Sequence, residues 1–242
     1  MIDIFRPSYK RAKTLKPVKY FVRMGYEAPK IHVFIDSEAE DKEEYAKECS
    51  SLGVNLHVFD MEEARRRYDY VHRPSKSRRS AGQARNMFYD FAKDKGIDFY
   101  MVQDDYTTNY EIKRHGKYIV KAEIKHNLQV FEAVKAFMVK RKIGFFGIPQ
   151  TRDFIGGTSE GLLLRKVMNT TFVNTKFVYR PERGVQDNDT SAFVGMMNEG
   201  LFTGSLGDGL VLSQTLSATA KGGLTDLYEE CKLLNKSLVT VI

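Results

Sequence analysis

The chain has no tryptophan, and only two cysteines and six prolines among its 242 residues. Cys49 and Cys231 are too few for a disulfide framework or a thiolate metal site, so a reducing, cytoplasmic setting is expected, host cytoplasm if the source is viral. No apolar run reaches the length of about eighteen residues that a membrane-spanning helix needs. The start, Met1-Ile2-Asp3-Ile4-Phe5, enters strand-like sequence at once, and no basic-then-apolar leader is expected. There is no internal repeat, low-complexity tract or Pro/Ser linker, which predicts a single domain.

What the chain does have is charge in blocks. The net charge is +7. Between Arg65 and Arg85 stand seven arginines (65, 66, 67, 73, 78, 79, 85), Lys76 and one acid, Asp69, so this segment carries the whole excess. Its counterweight is Asp36 to Glu48, with seven acids and two lysines. A concentrated basic stretch with Tyr68, Tyr70 and His72 interleaved suits a polyanion, either a nucleic-acid backbone or nucleotide phosphates. A solvated surface loop is the plainer alternative.

The hydrophobic pattern predicts strands at 2–6, 30–35, 54–59 and 97–102. A helix through about Gly25, an acidic helix over 37–52 closed by Gly53, and a helix over 81–95 stopped by Gly96 separate them. That alternation predicts an α/β fold with a parallel sheet covered by helices, and a ligand site beyond the C-terminal strand ends. Pro7–Arg11, the basic loop and Asp104-Asp105 all fall at such ends. Further on, 109–121 is strand-like, 125–141 helical, 144–148, 161–164 and 175–179 read as strands, and 187–198 as a helix. The expected division is a nucleotide-binding half over about 1–108 and an acceptor-binding half over about 109–242.

The acid pair follows the apolar run Ile97 to Gln103. Adjacent carboxylates repel unless a cation neutralises them, and hard divalent ions that also grip phosphate take such oxygens. The same pair also reads as the cap of a turn.

Four pieces of sequence together resemble a GT-A glycosyltransferase over most of the chain. Phe5-Arg6-Pro7-Ser8-Tyr9-Lys10-Arg11 is similar to the loop that cradles the nucleotide base. Gly82-Gln83-Ala84-Arg85-Asn86 is similar to the G-x-x-A-R-N helix start. Gln103-Asp104-Asp105 resembles the DXD metal motif with Gln in place of its first acid. Gly184-Val185-Gln186-Asp187-Asn188-Asp189 resembles the later element that supplies a catalytic base. With Gly156-Gly157 and Gly222-Gly223, the order is most similar to the phage and TET/JBP-associated glycosyltransferases that act on modified bases in DNA.

The resemblance implies a GT-A mixed sheet flanked by helices and a nucleotide-diphosphate sugar donor, UDP-linked. It implies Asp105 as ligand of a Mn²⁺ or Mg²⁺ ion, supported by Asp104. Pro7, Ser8 and Tyr9 would line the base, Arg11 and Arg85 would meet the diphosphate, and Gly156 and Gly157 would leave room for the sugar. Asp187, with Asp189 as runner-up, would be the base that deprotonates a hydroxymethyl acceptor in a single inverting displacement. Arg65, Arg66, Arg67, Arg73, Lys76, Arg78 and Arg79 would bind DNA, the acceptor base being flipped to reach the site. No membrane partner is implied. Two departures, Gln103 and the lack of any histidine after His126, imply a loosely held ion. Plainer roles stand beside these: Ser8 and Asp187 as helix N-caps, and Gly156-Gly157 as a turn. The alternatives are a GT-A enzyme acting on a surface glycan, a nucleotidyltransferase, and a non-catalytic DNA-binding relative.

Overall fold

Short apolar runs bounded by glycine and polar turns build the sheet. The computed structural model describes residues 1–67, 81–103, 107–114, 118–121, 124–148, 170–176, 202–205 and 209–214. In chain order the elements are β1 (Asp3–Pro7), a 3-10 turn (Ala12–Thr14), α1 (Lys16–Arg23), β2 (Ile31–Asp36), α2 (Lys42–Leu52), β3 (Asn55–Phe59), α3 (Met61–Arg67), α4 (Ala81–Asp94), β4 (Phe99–Gln103), β5 (Thr107–Arg114), β6 (Tyr118–Lys121), α5 (Ile124–Arg141), β7 (Ile143–Ile148), β8 (Thr170–Asn174), β9 (Phe202–Ser205) and β10 (Gly209–Gln214).

The main sheet has seven strands in the order β3-β2-β1-β4-β8-β7-β9. β8 runs antiparallel to both its neighbours, and every other pairing is parallel. The expected mixed α/β sheet is therefore present. A smaller antiparallel sheet, β10-β5-β6, joins segments about a hundred residues apart in sequence. The chain walks outward from β1 to β3 and then returns to pair β4 on the other side of β1. That reversal makes the C-terminal ends of β1 and β4 the switch point, the place where open α/β sheets bind ligands.

Both faces of the central strands are covered, so their sequences read as continuous apolar runs rather than alternating ones. Ile4, Val33, Ile35, Met101 and Phe172 line one face and pack with Val18, Phe21, Tyr45, Cys49, Phe131 and Met138 of α1, α2 and α5. Phe5, Phe34, Tyr100 and Val102 line the other and pack with Met61, Ala64, Ala84, Phe88 and Ala92 of α3 and α4. Phe5 stacks on Tyr100 with ring centroids 4.5 Å apart.

Several boundaries differ from the sequence expectation. The acidic helix starts at Lys42, not at 37, because Asp36 Oδ1 accepts the Glu38 N–H and holds an Asx turn there. Arg65 to Arg67 belong to α3 and not to a loop. The Asp60 carboxylate accepts the Glu62 and Glu63 N–H groups and starts that helix. A strand at Thr170–Asn174 pairs with β4 from Gln103↔Thr170 to Phe99↔Asn174, and of the strand expected at 175–179, Thr175 and Lys176 form a turn while 177–179 lie outside the described residues. Lys176 N donates to Asn174 Oδ1 and turns the chain away at that point. Gly53 and Gly96 end α2 and α4 as expected, at φ of 67° and 66°. The strand expected at 161–164 and the helix expected at 187–198 lie outside the described residues.

Candidate active site

The C-terminal end of β1 carries the loop Pro7–Arg11, and its conformation is set by neighbours on two elements. Ser8 N–H donates to the Phe34 carbonyl at 2.9 Å, which extends the β1–β2 pairing by one residue. The Ser8 hydroxyl shares a 2.7 Å hydrogen bond with the hydroxyl of Tyr45, a fully buried residue of α2. Tyr45 also accepts the Arg11 N–H at 3.0 Å. Between these anchors Lys10 is exposed and takes a left-handed conformation, φ 51°, which disfavours a residue bearing a Cβ. Its ammonium lies 5.4 Å from the centre of the Tyr9 ring and covers one face of it. Ser8 is not a helix N-cap. Arg11 precedes the 3-10 turn and Leu15 precedes α1.

Beside this loop stands the end of β4. Arg6 is among the fully buried side chains, and its guanidinium donates to Gln103 Oε1 at 3.2 Å. Gln103, 1% exposed, pairs with Thr170, which is 0% exposed. Arg6, Gln103 and Thr170 thus form a polar row over three neighbouring strands on a face that is otherwise apolar. The residue at the first-acid position of the motif is therefore held by a buried cation through its side-chain carbonyl oxygen. Next in sequence come Asp104 and Asp105, whose carboxylates are hard oxygens of the type that Mn²⁺ and Mg²⁺ take. Among the described residues no cluster of three or more His, Cys, Asp or Glu side chains is arranged to hold a metal.

On the opposite face, α4 runs antiparallel to β4, which brings its first turns to the same end of the sheet. Arg85 and Asn86 are buried there, 8% and 2% exposed. Asp36 closes β2 at the same level, also buried.

The predicted site residues Pro7, Ser8, Tyr9, Arg11 and Arg85 therefore gather at the C-terminal strand ends. Arg66 is exposed on α3, and Arg65 and Arg67 lie on the same helix. Asp104, Asp105, Gly156, Gly157, Asp187, Asp189, Arg73, Lys76, Arg78 and Arg79 lie outside the described residues. Sequence reasoning passed over Arg6, Asp36 and Tyr45. Asp36 ends a strand, as Gln103 does, which is the signal that could have marked it. Tyr45 sits in a run of acids and gives none.

Two other polar features lie apart from this end. Burial, with Glu48 nearby, pushes the Cys49 thiol up to about 11, so it stays protonated and unreactive. Toward the start of the strands, Asp3, His32 and His57 form a hydrogen-bonded chain across β1, β2 and β3. No described helix is long and apolar enough to cross a membrane.

The fold seen here is that of the GT-A glycosyltransferases. Glucosyl-3-phosphoglycerate synthase from Mycobacterium tuberculosis, in complex with Mn²⁺, UDP and glucosyl-3-phosphoglycerate, superposes with a TM-score of 0.52 at 11% identity, over 96% of this chain and 76% of that one. The same enzyme with Mg²⁺ and UDP gives 0.51 at 10% identity, over 96% and 79%. With UDP it gives 0.51 at 12% identity, over 96% and 80%. At such identities the likeness concerns the fold. The family follows from the sequence itself: the model of the TET-associated glycosyltransferases matches residues 2–223, and the chain belongs to that family. No curated protein matches it in sequence.

Proposed function

We propose that this glycosyltransferase moves a sugar from a UDP-linked donor to a hydroxymethylated pyrimidine in DNA, as in phage DNA hypermodification. Membership of the TET-associated family carries this reading. The convergence of Pro7–Arg11, Arg6–Gln103 and Arg85 at the strand switch point supports the donor half of it. The UDP and the Mn²⁺ or Mg²⁺ held by the structural relative point the same way.

In this scheme Tyr9 offers its ring to the base, and Pro7 and Ser8 shape the floor beneath it. Arg11 and Arg85 face the diphosphate, whose charge the N-terminal end of α4 also favours. A divalent ion at Asp105, supported by Asp104, would supply charge neutralisation to the departing diphosphate. Gly156 and Gly157 make room for the donor sugar. Asp187, or Asp189, takes the proton of the acceptor hydroxyl as it attacks the anomeric carbon, so one displacement inverts that centre. Arg65, Arg66, Arg67, Arg73, Lys76, Arg78 and Arg79 hold the DNA backbone while the base is flipped. Residues 1–242 act as one domain, donor half first, in a cytoplasmic setting.

The test is incubation of the purified chain with UDP-glucose and DNA containing 5-hydroxymethylcytosine, with and without Mn²⁺. Mass-resolved sugar on the base supports the reading. UDP release without labelled DNA points instead to a glycan acceptor, and absence of both UDP binding and turnover to a non-catalytic relative.

A further inference from the structure

The buried Tyr45 hydroxyl makes hydrogen bonds to two residues of the loop at the end of β1, Ser8 and Arg11. A phenylalanine would fill the same volume in the apolar cluster that Tyr45 joins. What the oxygen does is fasten Ser8 and Arg11, the residues on either side of Tyr9 and Lys10. Lys10 holds a left-handed backbone, a conformation that persists only where the surroundings impose it. Between the two anchors, Tyr9 and Lys10 are the residues left to face outward, with the ammonium over one side of the ring. Lys13–Glu44 and Lys19–Glu48 ion pairs, 3.2 and 2.8 Å long, join the following segment to α2 but lie at the surface, where they contribute little. The directional restraint comes from the phenol.

We propose that Tyr45 is a positioning residue of the nucleotide site: its hydroxyl preorganises the Pro7–Arg11 loop so that Tyr9 and Arg11 meet the donor nucleotide without an ordering cost at binding. This rests on the reading that the loop binds the donor. The effect on the donor runs through Ser8 and Arg11.

The test uses the full chain and UDP with Mg²⁺ as the calorimetric probe. Tyr45→Phe removes both loop bonds and should weaken UDP binding about tenfold. It should raise the KM for the donor similarly and leave kcat at saturating donor within about twofold. Ser8→Ala should weaken binding less, by the same route, and the double variant should be no worse than Tyr45→Phe, which already removes the Ser8 bond together with the Arg11 bond. A merely structural hydroxyl would lower the melting temperature and leave UDP affinity untouched. That result, obtained while Tyr9→Ala does weaken UDP, overturns the inference and leaves the loop assignment standing. If Tyr9→Ala and Tyr45→Phe both bind UDP normally, the loop assignment itself fails and the role of Tyr45 fails with it.

Discussion

Acidification from about pH 7.5 to pH 5 should destabilise the fold through one imidazole, His57. The Asp3 carboxylate only accepts, so His32 Nε2–H donates to it at 3.2 Å. His32 Nδ1 and His57 Nε2 share a hydrogen bond of 2.9 Å. The His57 ring lies against Phe91 and Phe34, with centroids 4.5 and 4.7 Å away. Burial first, then the neighbouring His32 and Lys95, lowers its pKa from 6.5 to about 4. Burial opposes ionisation of Asp3, but its bonds and charges from His32 and Lys30 outweigh that and hold its pKa below the ordinary carboxylate value. It therefore stays ionised throughout this window.

The sign follows from proton uptake. Between pH 6.5 and 4 the unfolded chain binds a proton at position 57 that the folded chain refuses. Stability is full above the unfolded value and is lost as pH falls toward the folded one. Over the step to pH 5 this amounts to about 2 kcal/mol before screening, and about 1 kcal/mol once solvent at the partly exposed ring is allowed for. Urea unfolding at both pH values, on the wild type and on His57→Phe, isolates the contribution. The variant keeps an aromatic ring in the nest and loses the titration, so its stability should fall by about 1 kcal/mol less over the same step. Equal pH dependence in the two proteins would refute the assignment, whatever their absolute stabilities.

Three further outcomes are expected. Gly53→Ala should cost about 1 kcal/mol in thermal or urea unfolding, because the residue sits at φ +67° while the added Cβ meets only Ala28 Cβ at an ordinary 3.6 Å. Asp60→Ala should cost about 1 kcal/mol by removing the acceptor for two N–H groups of α3, and Asp60→Asn should restore most of it. Phe5→Ala should cost about 3–5 kcal/mol, since this fully buried ring stacks on Tyr100 and touches Phe34, Phe88 and Phe91. Its circular-dichroism melting midpoint should be the lowest of the three.

The front of the fold was legible because its signals are local. Ile31–Asp36 and Phe99–Gln103 are buried on both faces and short, and Gly53 and Gly96 mark helix ends by backbone conformation alone. β8 was missed because Thr170–Asn174 and Thr175–Tyr179 are both rich in β-forming residues. Only the pairing with β4, some seventy positions away, marks the first as a strand. The pairing of β10 with β5 is invisible for the same reason. Within the site, Tyr9, Arg11 and Arg85 announce themselves by residue type and place. Arg6 does not: an arginine in a strand reads as solvent-facing, and its burial against Gln103 exists only once β1 and β4 are side by side.

That Arg6–Gln103 contact changes how the acid motif is understood. A glutamine before two aspartates looks, in sequence, like a metal ligand lost. In the fold it is an acceptor for the buried guanidinium of Arg6. An acid at position 103 would make an ion pair there and commit its charge to Arg6, whereas the neutral amide satisfies the guanidinium and leaves its positive charge uncompensated by Gln103 itself. The cation at the end of β1 therefore contributes its field to the strand end from which Asp104 and Asp105 continue. Gln103→Leu should separate the two roles. It removes one acceptor but not the charge, so unfolding free energy should drop by about 1–3 kcal/mol, with a smaller loss in UDP affinity at saturating Mg²⁺. A variant with unchanged stability would show that Arg6 does not depend on Gln103.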